Sequence, residues 1–347
     1  MKRKHFLGSL LGSPLLAAST FDSVSRFNPG ASQDSSFQIP PYLKPGSTIG
    51  ITCPAGYMTL AEIQPAVQVL KSWGFNLRIG STVGERDFGF GGTDAERRAD
   101  FQQMLDDSSI QAILCARGGY GIVRIIDQLD FRHFAQNPKW IIGFSDITIL
   151  HAHLNHNYRI ASIHSKMCNS FPENAGLAEK GQWDSILSIH AALTGKRIDY
   201  PIVYDQSNRP GKGSGILAGG NLKTLETLAG TGSDLRTDGM ILFLEDAGEY
   251  LYNVDRMFYN LKRTGKLENL KGLLIGAFRV KPDDHGEEFG KSVYNIVLEK
   301  VSSYHYPVCF NFPVGHQKLN YALKCGVQHD LEINDSQVIF KETIVKR

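Results

Sequence analysis

The chain has 347 residues, of which 42% are hydrophobic and 21% are charged, and its formal net charge is +2 at pH 7. This composition is typical of a globular protein with a sizeable core, and the length predicts two domains. The near-zero charge argues against nucleic acid or an anionic membrane surface as a partner. Five cysteines without a Cys-x-x-Cys pair predict buried thiols, with no disulfide framework and no zinc site.

The first residues have the three-part pattern of a secretory signal peptide. Residues 1–5 are basic, residues 6–18 are mostly apolar, and small residues follow. We therefore predict a signal peptide over 1–20 and export to the periplasm, with a basic leader on a cytoplasmic protein as the alternative. The apolar run is too short for a stable membrane span. Residues 21–38 are rich in Ser, Asn, Asp and Gly and predict a disordered linker.

Strands alternate with helices in the next part of the chain, for which we predict an N-terminal α/β domain over 39–168. The predicted strands are 48–52, 75–79, 112–115 and 140–142, and the predicted helices are 60–73, 94–106, 122–129 and 146–154. Thr93 and Glu96 have the spacing of a capping box. This alternation predicts a parallel sheet with helices on both faces, in which ligands bind at the carboxyl ends of the strands.

The second half repeats the α/β alternation. Residues 169–212, which are polar with helical patches, predict an interdomain connection, and residues 213–347 predict a C-terminal α/β domain. Its predicted strands are 215–220, 240–244, 272–278 and 307–312, its predicted helices are 221–229, 254–262 and 289–303, and residues 327–345 predict a β-hairpin.

The turn Gly143-Phe144-Ser145-Asp146 lies between a predicted buried strand and a predicted helix. A hydrolase of the nucleophile-elbow type places its serine at such a turn. Backbone N–H groups at the following helix start then face developing negative charge. Ile147 replaces the second glycine of the usual Gly-x-Ser-x-Gly pattern, so a helix cap made by Ser145 or Asp146 is the alternative.

A glycine-rich loop, Arg117-Gly118-Gly119-Tyr120-Gly121, follows another predicted strand. Its glycines permit close backbone approach. Next to a nucleophile elbow, such a loop is suited to donate backbone N–H groups to an oxyanion hole. A phosphate-binding loop and a plain tight turn are the alternatives. The loop has neither the Gly-x-Gly-x-x-Gly pattern nor the Walker lysine pattern of phosphate-binding loops.

A serine nucleophile needs a base, and the base needs a carboxylate to orient it. Glu245 ends an apolar strand and His316 follows another within a glycine-containing loop, so both lie, like Ser145, at strand ends. Glu245 as one of several solvated acids, and His164 as the base, are the alternatives. A metal site would have to combine Asp146 with His151, His153 and His156. The spacing of these histidines does not place all three on one face of a helix.

Taken together, the motifs resemble one family, the LD-carboxypeptidases, serine peptidases that include the microcin-immunity carboxypeptidases. The resemblance covers residues 40–331. Its matching stretches are Leu43-Lys44-Pro45-Gly46, 49–56, 116–121 with Arg124, Pro138-Lys139, 143–148, Ser162-Ile163-His164, Gly219-Gly220-Asn221-Leu222, Leu244-Glu245-Asp246, Asp255-Arg256 and Gly315-His316.

The resemblance implies a flavodoxin-like N-terminal doubly wound parallel sheet and a smaller C-terminal α/β domain, with the site between them. It also implies a homodimer and no metal or cofactor. The implied substrate is the stem peptide of peptidoglycan, cut between the L-centre of a diamino acid and a terminal D-alanine. The implied catalytic residues are Ser145, Glu245 and His316. The oxyanion hole would use Asp146, Gly118 and Gly119. A carboxypeptidase must also recognise a C-terminal carboxylate, for which the candidates are Asn221, Arg117 and Lys166, and Tyr120 is a further candidate for substrate binding.

Two departures bear on specificity. Where family members often have Leu-Pro-Leu-Gly, this chain has Leu323-Lys324-Cys325-Gly326. Relatives that recycle peptidoglycan mostly lack a signal peptide, so an exported member would meet nascent or intact peptidoglycan. The alternatives are a carboxypeptidase or amidase that detoxifies a peptide-nucleotide antibiotic of the microcin type, and, from another class, an inactive peptidoglycan-fragment binding protein.

Overall fold

Two six-stranded sheets form the framework of the protein. The computed structural model describes residues 36–343. The strands are β1 (Thr48–Thr52), β2 (Asn76–Ile79), β3 (Ala112–Cys115), β4 (Trp140–Gly143), β5 (Ser162–His164), β6 (Gly211–Asn221), β7 (Met240–Ala247), β8 (Gly272–Arg279), β9 (Val308–Cys309), β10 (Leu323–Cys325), β11 (Gln328–Ile333) and β12 (Val338–Glu342). The α-helices are α1 (Gln64–Ser72), α2 (Asp94–Asp106), α3 (Arg132–Gln136), α4 (Thr148–Asn157), α5 (Lys180–Leu193), α6 (Leu222–Thr227), α7 (Leu251–Arg263) and α8 (Val293–Lys300).

The first sheet has the strand order β10-β5-β4-β3-β1-β2. Strands β1 to β5 are parallel, and their 2-1-3-4-5 order is that of the flavodoxin-like fold. β3 and β4 are buried along their whole length, as expected for strands covered by helices on both faces. The predicted flavodoxin-like sheet is therefore confirmed. Because the order reverses between β1 and β3, the loops after these strands border the crevice where such sheets bind ligands.

The second sheet has the order β12-β11-β6-β7-β8-β9, with β6 to β9 parallel and the terminal hairpin antiparallel. Its strands β6 and β7 lie at the centre, and the apolar strands β7 and β8 are buried along most of their length. One strand crosses between the halves of the chain, because β10 pairs antiparallel with β5 of the first sheet. The LKCG segment that departs from the family pattern therefore forms the edge of the N-terminal sheet.

The two sheets meet at α4, the helix that follows the elbow. Asn221 at the end of β6 donates its backbone N–H to the Thr148 hydroxyl at 3.1 Å. Ile149, on the same helix, and Ala218, on β6, belong to one continuous hydrophobic core. This packing places the carboxyl end of β6 beside the start of α4.

Several predicted boundaries need correction. Phe37 packs into the core and Gln38 pairs with Ile160, so the predicted linker 21–38 extends too far at its end. The predicted helix 122–129 is a pair of short 3-10 turns. The helical patches of the predicted connection 169–212 correspond to α5, whose apolar face packs against the core of the first sheet.

The remaining predictions concern the N-terminal residues, membrane-spanning helices and the cysteines. The predicted signal peptide 1–20 and residues 21–35 of the predicted linker lie outside the described residues. Within residues 36–343, no helix combines the length and the apolar character needed to cross a bilayer. All five cysteines are buried as free thiols, as predicted.

Candidate active site

Ser145 lies at a strained turn between β4 and α4. Its φ is +63°, a left-handed conformation that costs a residue with a Cβ atom about 1–2 kcal/mol. Phe144 and Asp146 are buried on either side, whereas Ser145 is half-buried. A short 3-10 turn, Ser145–Ile147, then leads into α4. This is the strand-turn-helix context that a nucleophile elbow requires, and strain of this kind concentrates at functional sites.

The strain predicts an effect on stability that is separate from activity. We expect Ser145→Gly to have a free energy of unfolding about 1 kcal/mol higher than Ser145→Ala, because glycine adopts positive φ without steric cost. Both variants lack the hydroxyl, so only the backbone preference differs. Urea unfolding of the two proteins measures the difference. Equal stabilities, or a more stable alanine variant, would show that the turn is relaxed.

His316 is held by a fully buried carboxylate. Its Nδ1 atom lies 2.7 Å from Oε2 of Glu245, which is 0% exposed at the end of β7, and its backbone N–H donates to the same oxygen at 3.2 Å. Gly315 makes this approach possible: it has φ +104°, and a Cβ atom there would lie 2.7 Å from Oε2. A carboxylate on Nδ1 selects the tautomer in which Nε2 is free to accept a proton.

The surroundings of His316 raise its pKa above the ordinary value of 6.5. Burial lowers the pKa, but the hydrogen bond and charge of Glu245, helped by the charge of Asp246, more than offset that effect. A carboxylate that stabilises the imidazolium is what a general base needs when it takes a proton from a serine.

The direction of this shift predicts the pH dependence of the reaction. Protonated His316 cannot accept the Ser145 proton, so we expect kcat/KM to rise with pH and to level off above an apparent pKa higher than 6.5. A pH profile of kcat/KM for the free enzyme measures this value. A limb centred well below 6.5 would mean that another group controls activity.

Ser145 and His316 line one cavity of about 470 Å³. Ser145 comes from the first sheet, whereas His316 follows β9 of the second. Within the described residues, no hydrogen bond yet joins the Ser145 hydroxyl to the His316 ring; such contacts often tighten only when substrate binds. The other lining residues are Gly119, Tyr120, Val123, Asp146, Ile149, Asn221, Lys223, Thr224, Thr227, Asp246, Ala247 and Glu249.

The glycine loop lies directly against the elbow. A Cβ atom at Gly118 would lie 3.0 Å from Cβ of Ser145, so only a glycine fits there without displacement. Gly119 lines the cavity, and the Gly118 carbonyl accepts a hydrogen bond of 2.8 Å from the backbone N–H of Gly56. The loops after β1, β3 and β4 therefore meet at one point, as the carboxyl-end rule predicts.

Two further carboxyl groups border the cavity and are mostly withdrawn from water. Burial raises the pKa of Asp146 and of Asp246 to about 6 each. Asp146 accepts the backbone N–H of Ile122 at 2.9 Å, and Asp246 accepts that of Lys223 at 2.7 Å. These hydrogen bonds favour the ionised forms and partly oppose burial. Both side chains therefore hold backbone segments at the cavity wall.

The predicted substrate-binding residues differ in position. Asn221 and Tyr120 line the cavity. Oδ1 of Asn221 accepts both the N–H and the hydroxyl of Thr224, so the remaining polar group of this side chain is its Nδ2 donor. Arg117 is exposed and outside the cavity lining, with its guanidinium 6.0 Å from the Tyr57 ring.

Two other histidines near the elbow, His164 and His151, occupy structural positions. His164 is 0% exposed and packs against Phe144 and Phe243, so it does not reach the cavity. His151 binds the Ser162 hydroxyl and the Gly143 carbonyl. Desolvation of these rings lowers the pKa of His151 to about 4 and that of His164 well below its usual range. The geometry thus favours His316 over His164 as the base.

Sequence reasoning did not assign roles to Lys223, Asp246 and Glu249, although Asp246 and Glu249 lie beside Glu245 in the chain. The signal for Asp246 was its place at the end of an apolar strand. Lys223 gave no signal, since it sits on the first turn of a short helix whose position at the cavity depends on the packing of β6 against α4.

A serine at a strained elbow and a histidine held by a buried glutamate, both facing one cavity at strand ends, define a hydrolase of the serine type. Comparison with known proteins narrows the class. Residues 49–165 match the LD-carboxypeptidase N-terminal domain, and residues 214–331 match the LD-carboxypeptidase C-terminal domain. The chain belongs to the LD-carboxypeptidase family.

Individual relatives agree with this assignment. The chain is 30% identical to a probable murein peptide carboxypeptidase of Bacillus subtilis over 83% of its own length and 90% of that protein's. It is 25% identical to the microcin C7 self-immunity protein of Escherichia coli over 86% and 94% of the two chains. The solved structure of muramoyltetrapeptide carboxypeptidase from Oxalobacter formigenes superposes with a TM-score of 0.75 at 26% identity, covering 85% and 98% of the chains.

Proposed function

We propose that this carboxypeptidase releases the terminal D-alanine from peptidoglycan tetrapeptides by cutting the bond that follows the L-centre of the diamino acid. The single observation that carries the chemistry is the hydrogen bond of 2.7 Å between His316 Nδ1 and buried Glu245, on the wall of the cavity that Ser145 also lines. The murein-peptide names of two relatives support the choice of substrate.

The reaction is acyl transfer. The Ser145 hydroxyl attacks the scissile carbonyl while His316 takes its proton. Negative charge then develops on the carbonyl oxygen, where the backbone N–H groups of Asp146 and of the Gly118-Gly119 loop are the proposed donors. Collapse of this intermediate breaks the C–N bond, and His316 gives its proton to the departing amine of D-alanine. Water, activated by the same histidine, hydrolyses the acyl-enzyme and restores the serine.

A carboxypeptidase must also bind the free carboxylate of the residue that leaves. We propose that the Nδ2 donor of Asn221 and the cation of Lys223 supply this recognition, because both residues line the cavity with Ser145. Tyr120, at the mouth, offers an exposed ring and hydroxyl to the rest of the peptide. Arg117 would take part only through movement of its exposed side chain.

The location and assembly of the enzyme complete the proposal. We propose that residues 1–20 direct export to the periplasm, where the substrate is intact or nascent peptidoglycan, and that the enzyme works as a homodimer. N-terminal sequencing of the protein recovered from a periplasmic fraction tests export. Light scattering of the purified enzyme tests the dimer. A protein that keeps Met1 and stays in the cytoplasm, or a monomer, would contradict the respective statement.

The substrate is tested with a matched pair of peptides. The purified protein lacking residues 1–20 is incubated separately with a free tetrapeptide ending in D-alanine and with the same peptide ending in L-alanine. We expect mass spectrometry to detect the loss of one alanine from the first peptide only. Equal cleavage of both peptides would contradict the stereochemical assignment, and cleavage of neither would remove the murein tetrapeptide as substrate.

A second candidate function is the removal of a peptide-nucleotide antibiotic, which the similarity to the microcin C7 self-immunity protein favours. The catalytic residues would be the same, so only the substrate separates the two functions. An aminoacyl sulfamoyl nucleoside is therefore included in the same digest. Its hydrolysis, with both tetrapeptides left intact, would establish this function in place of the first.

A further inference from the structure

Arg97 is a buried cation behind the glycine loop. It lies in the first turn of α2, is 0% exposed, and forms an ion pair with Asp94. Burying a cation costs free energy unless its donors are satisfied. Its guanidinium donates to three backbone carbonyls: Pro54 at 2.7 Å, Gly121 at 3.0 Å and Gly92 at 3.2 Å.

These carbonyls belong to three separate loops at the site. Pro54 follows β1, Gly121 ends the glycine loop after β3, and Gly92 ends the loop before α2. The first two loops also contact each other, since the Gly56 N–H donates to the Gly118 carbonyl at 2.8 Å. The planar guanidinium has five N–H donors in a fixed fork, which suits it to hold several carbonyls in one arrangement.

The peptide unit between Gly121 and Ile122 is bound at both ends. Arg97 donates to its carbonyl oxygen, and Oδ2 of Asp146 accepts its N–H at 2.9 Å. Because a peptide unit is planar, two such bonds set its orientation. Asp146 directly follows Ser145, so this one peptide links the glycine loop to the elbow. The charge of Arg97 also opposes the rise that burial causes in the pKa of Asp146.

We infer that Arg97, together with the Asp146 side chain, is a positioning residue that fixes the backbone N–H groups of the Gly118-Gly119 loop at the place where the oxyanion forms. Oxyanion donors act only within about 2.7–3.1 Å of that oxygen, so a loop that drifts loses most of its effect. Arg97 touches no substrate; it acts through the loop. The inference rests on the proposed role of Ser145 as nucleophile.

The test uses Arg97→Ala, Arg97→Lys and a matched control. Arg209→Ala removes a part-buried arginine, whose guanidinium donates to the carbonyls of Tyr306 and Val301 at 2.9 Å each, outside the cavity lining. Each protein is treated with a fluorophosphonate, which labels an activated serine as fluoride leaves phosphorus. Labelling depends on the nucleophile, base and oxyanion donors, but not on peptide recognition.

We expect Arg97→Ala to slow labelling by about 10²–10³-fold, comparable to the loss of an oxyanion donor, and to lower kcat for the tetrapeptide with little change in KM. Arg97→Lys should be intermediate, because one ammonium cannot replace the fork. Added guanidinium at non-denaturing concentration should restore part of the rate to Arg97→Ala but not change Arg209→Ala. A purely structural role would not produce this rescue.

The outcomes separate the inference from the proposed function. Labelling of Arg97→Ala no slower than that of Arg209→Ala would overturn the inference. If Arg97→Ala does not fold, Arg97→Lys decides: wild-type labelling by a folded lysine variant overturns the inference, and slow labelling supports it. A wild-type protein that is labelled at Ser145 but leaves the tetrapeptide intact would remove the proposed substrate and leave the inference standing. If Ser145 of the wild-type protein is never labelled, both the inference about Arg97 and the proposed function are overturned.

Discussion

Replacing Ser145 with alanine is expected to lower kcat for D-alanine release by at least about 10⁴-fold, and by as much as about 10⁶-fold. Without the hydroxyl no acyl-enzyme can form, and only the oxyanion donors and substrate positioning remain. The variant should still bind the tetrapeptide, because Ser145 is one of fourteen residues that line the cavity and contributes little to ground-state contact. Turnover measured by mass spectrometry and affinity measured by calorimetry give the two quantities separately.

A matched control removes a different buried hydroxyl. Ser233 is 3% exposed and its hydroxyl lies 2.8 Å from Nδ1 of His153, outside the cavity lining. Ser233→Ala should lose some stability and keep the wild-type kcat. If Ser145→Ala retained a rate near that of Ser233→Ala, Ser145 would not be the nucleophile. The elbow would then be only a strained helix start.

Replacing Glu245 with glutamine is expected to lower kcat by about 10⁴-fold while the protein stays folded, as in other triads whose carboxylate becomes an amide. The amide has the same size but no charge, so it no longer stabilises the imidazolium. It can also donate a hydrogen bond to Nδ1 and select the tautomer that leaves Nε2 protonated. Because Glu245 is 0% exposed, solvent cannot compensate for either loss.

The pH profile distinguishes the loss of the Glu245 charge from a general loss of structure. Glu245 raises the pKa of His316 by hydrogen bond and charge, and burial lowers it. Removing the charge should therefore move the acid limb of kcat/KM to lower pH. Asp255→Asn is the control, since Asp255 pairs with the buried cation of Lys300 at 2.5 Å, on helices away from the cavity. It should destabilise the protein without changing kcat or the limb, and an unmoved limb in Glu245→Gln would mean that Glu245 does not act on His316.

The arrangement divides the chemistry between two sheets. Ser145, the proposed nucleophile, and the glycine loop lie at strand ends of the first sheet, and Glu245 and His316 lie at strand ends of the second. Contacts such as that between Asn221 and Thr148 hold the two sets together at 3.1 Å. A change in the packing of α4 against β6 would therefore misalign Ser145 and His316 without altering either residue.

The local sequence was sufficient for much of this protein. Short apolar strands, capping residues and glycines are signals within a few residues of one another, and they located β1, β3 and the capping box of Thr93 and Glu96. The same local signals placed Ser145 at a strand-to-helix turn, and its φ of +63° agrees. The position of Glu245 and His316 at predicted strand ends then singled them out, because in a parallel sheet functional residues gather at the carboxyl ends of strands, and the family resemblance agreed.

Only the tertiary structure decided which distant groups meet. Glu245 and His316 are 71 residues apart in the chain, and their hydrogen bond depends on how β7 lies beside the loop after β9. β10 joins the first sheet by a pairing that no local pattern predicts. The sequence assigns no role to Arg97, which is fully buried and donates to carbonyls from three loops. Such contacts arise when whole helices and strands pack together. A local sequence pattern predicts these elements, but it does not give the free energies that favour one arrangement of them over another.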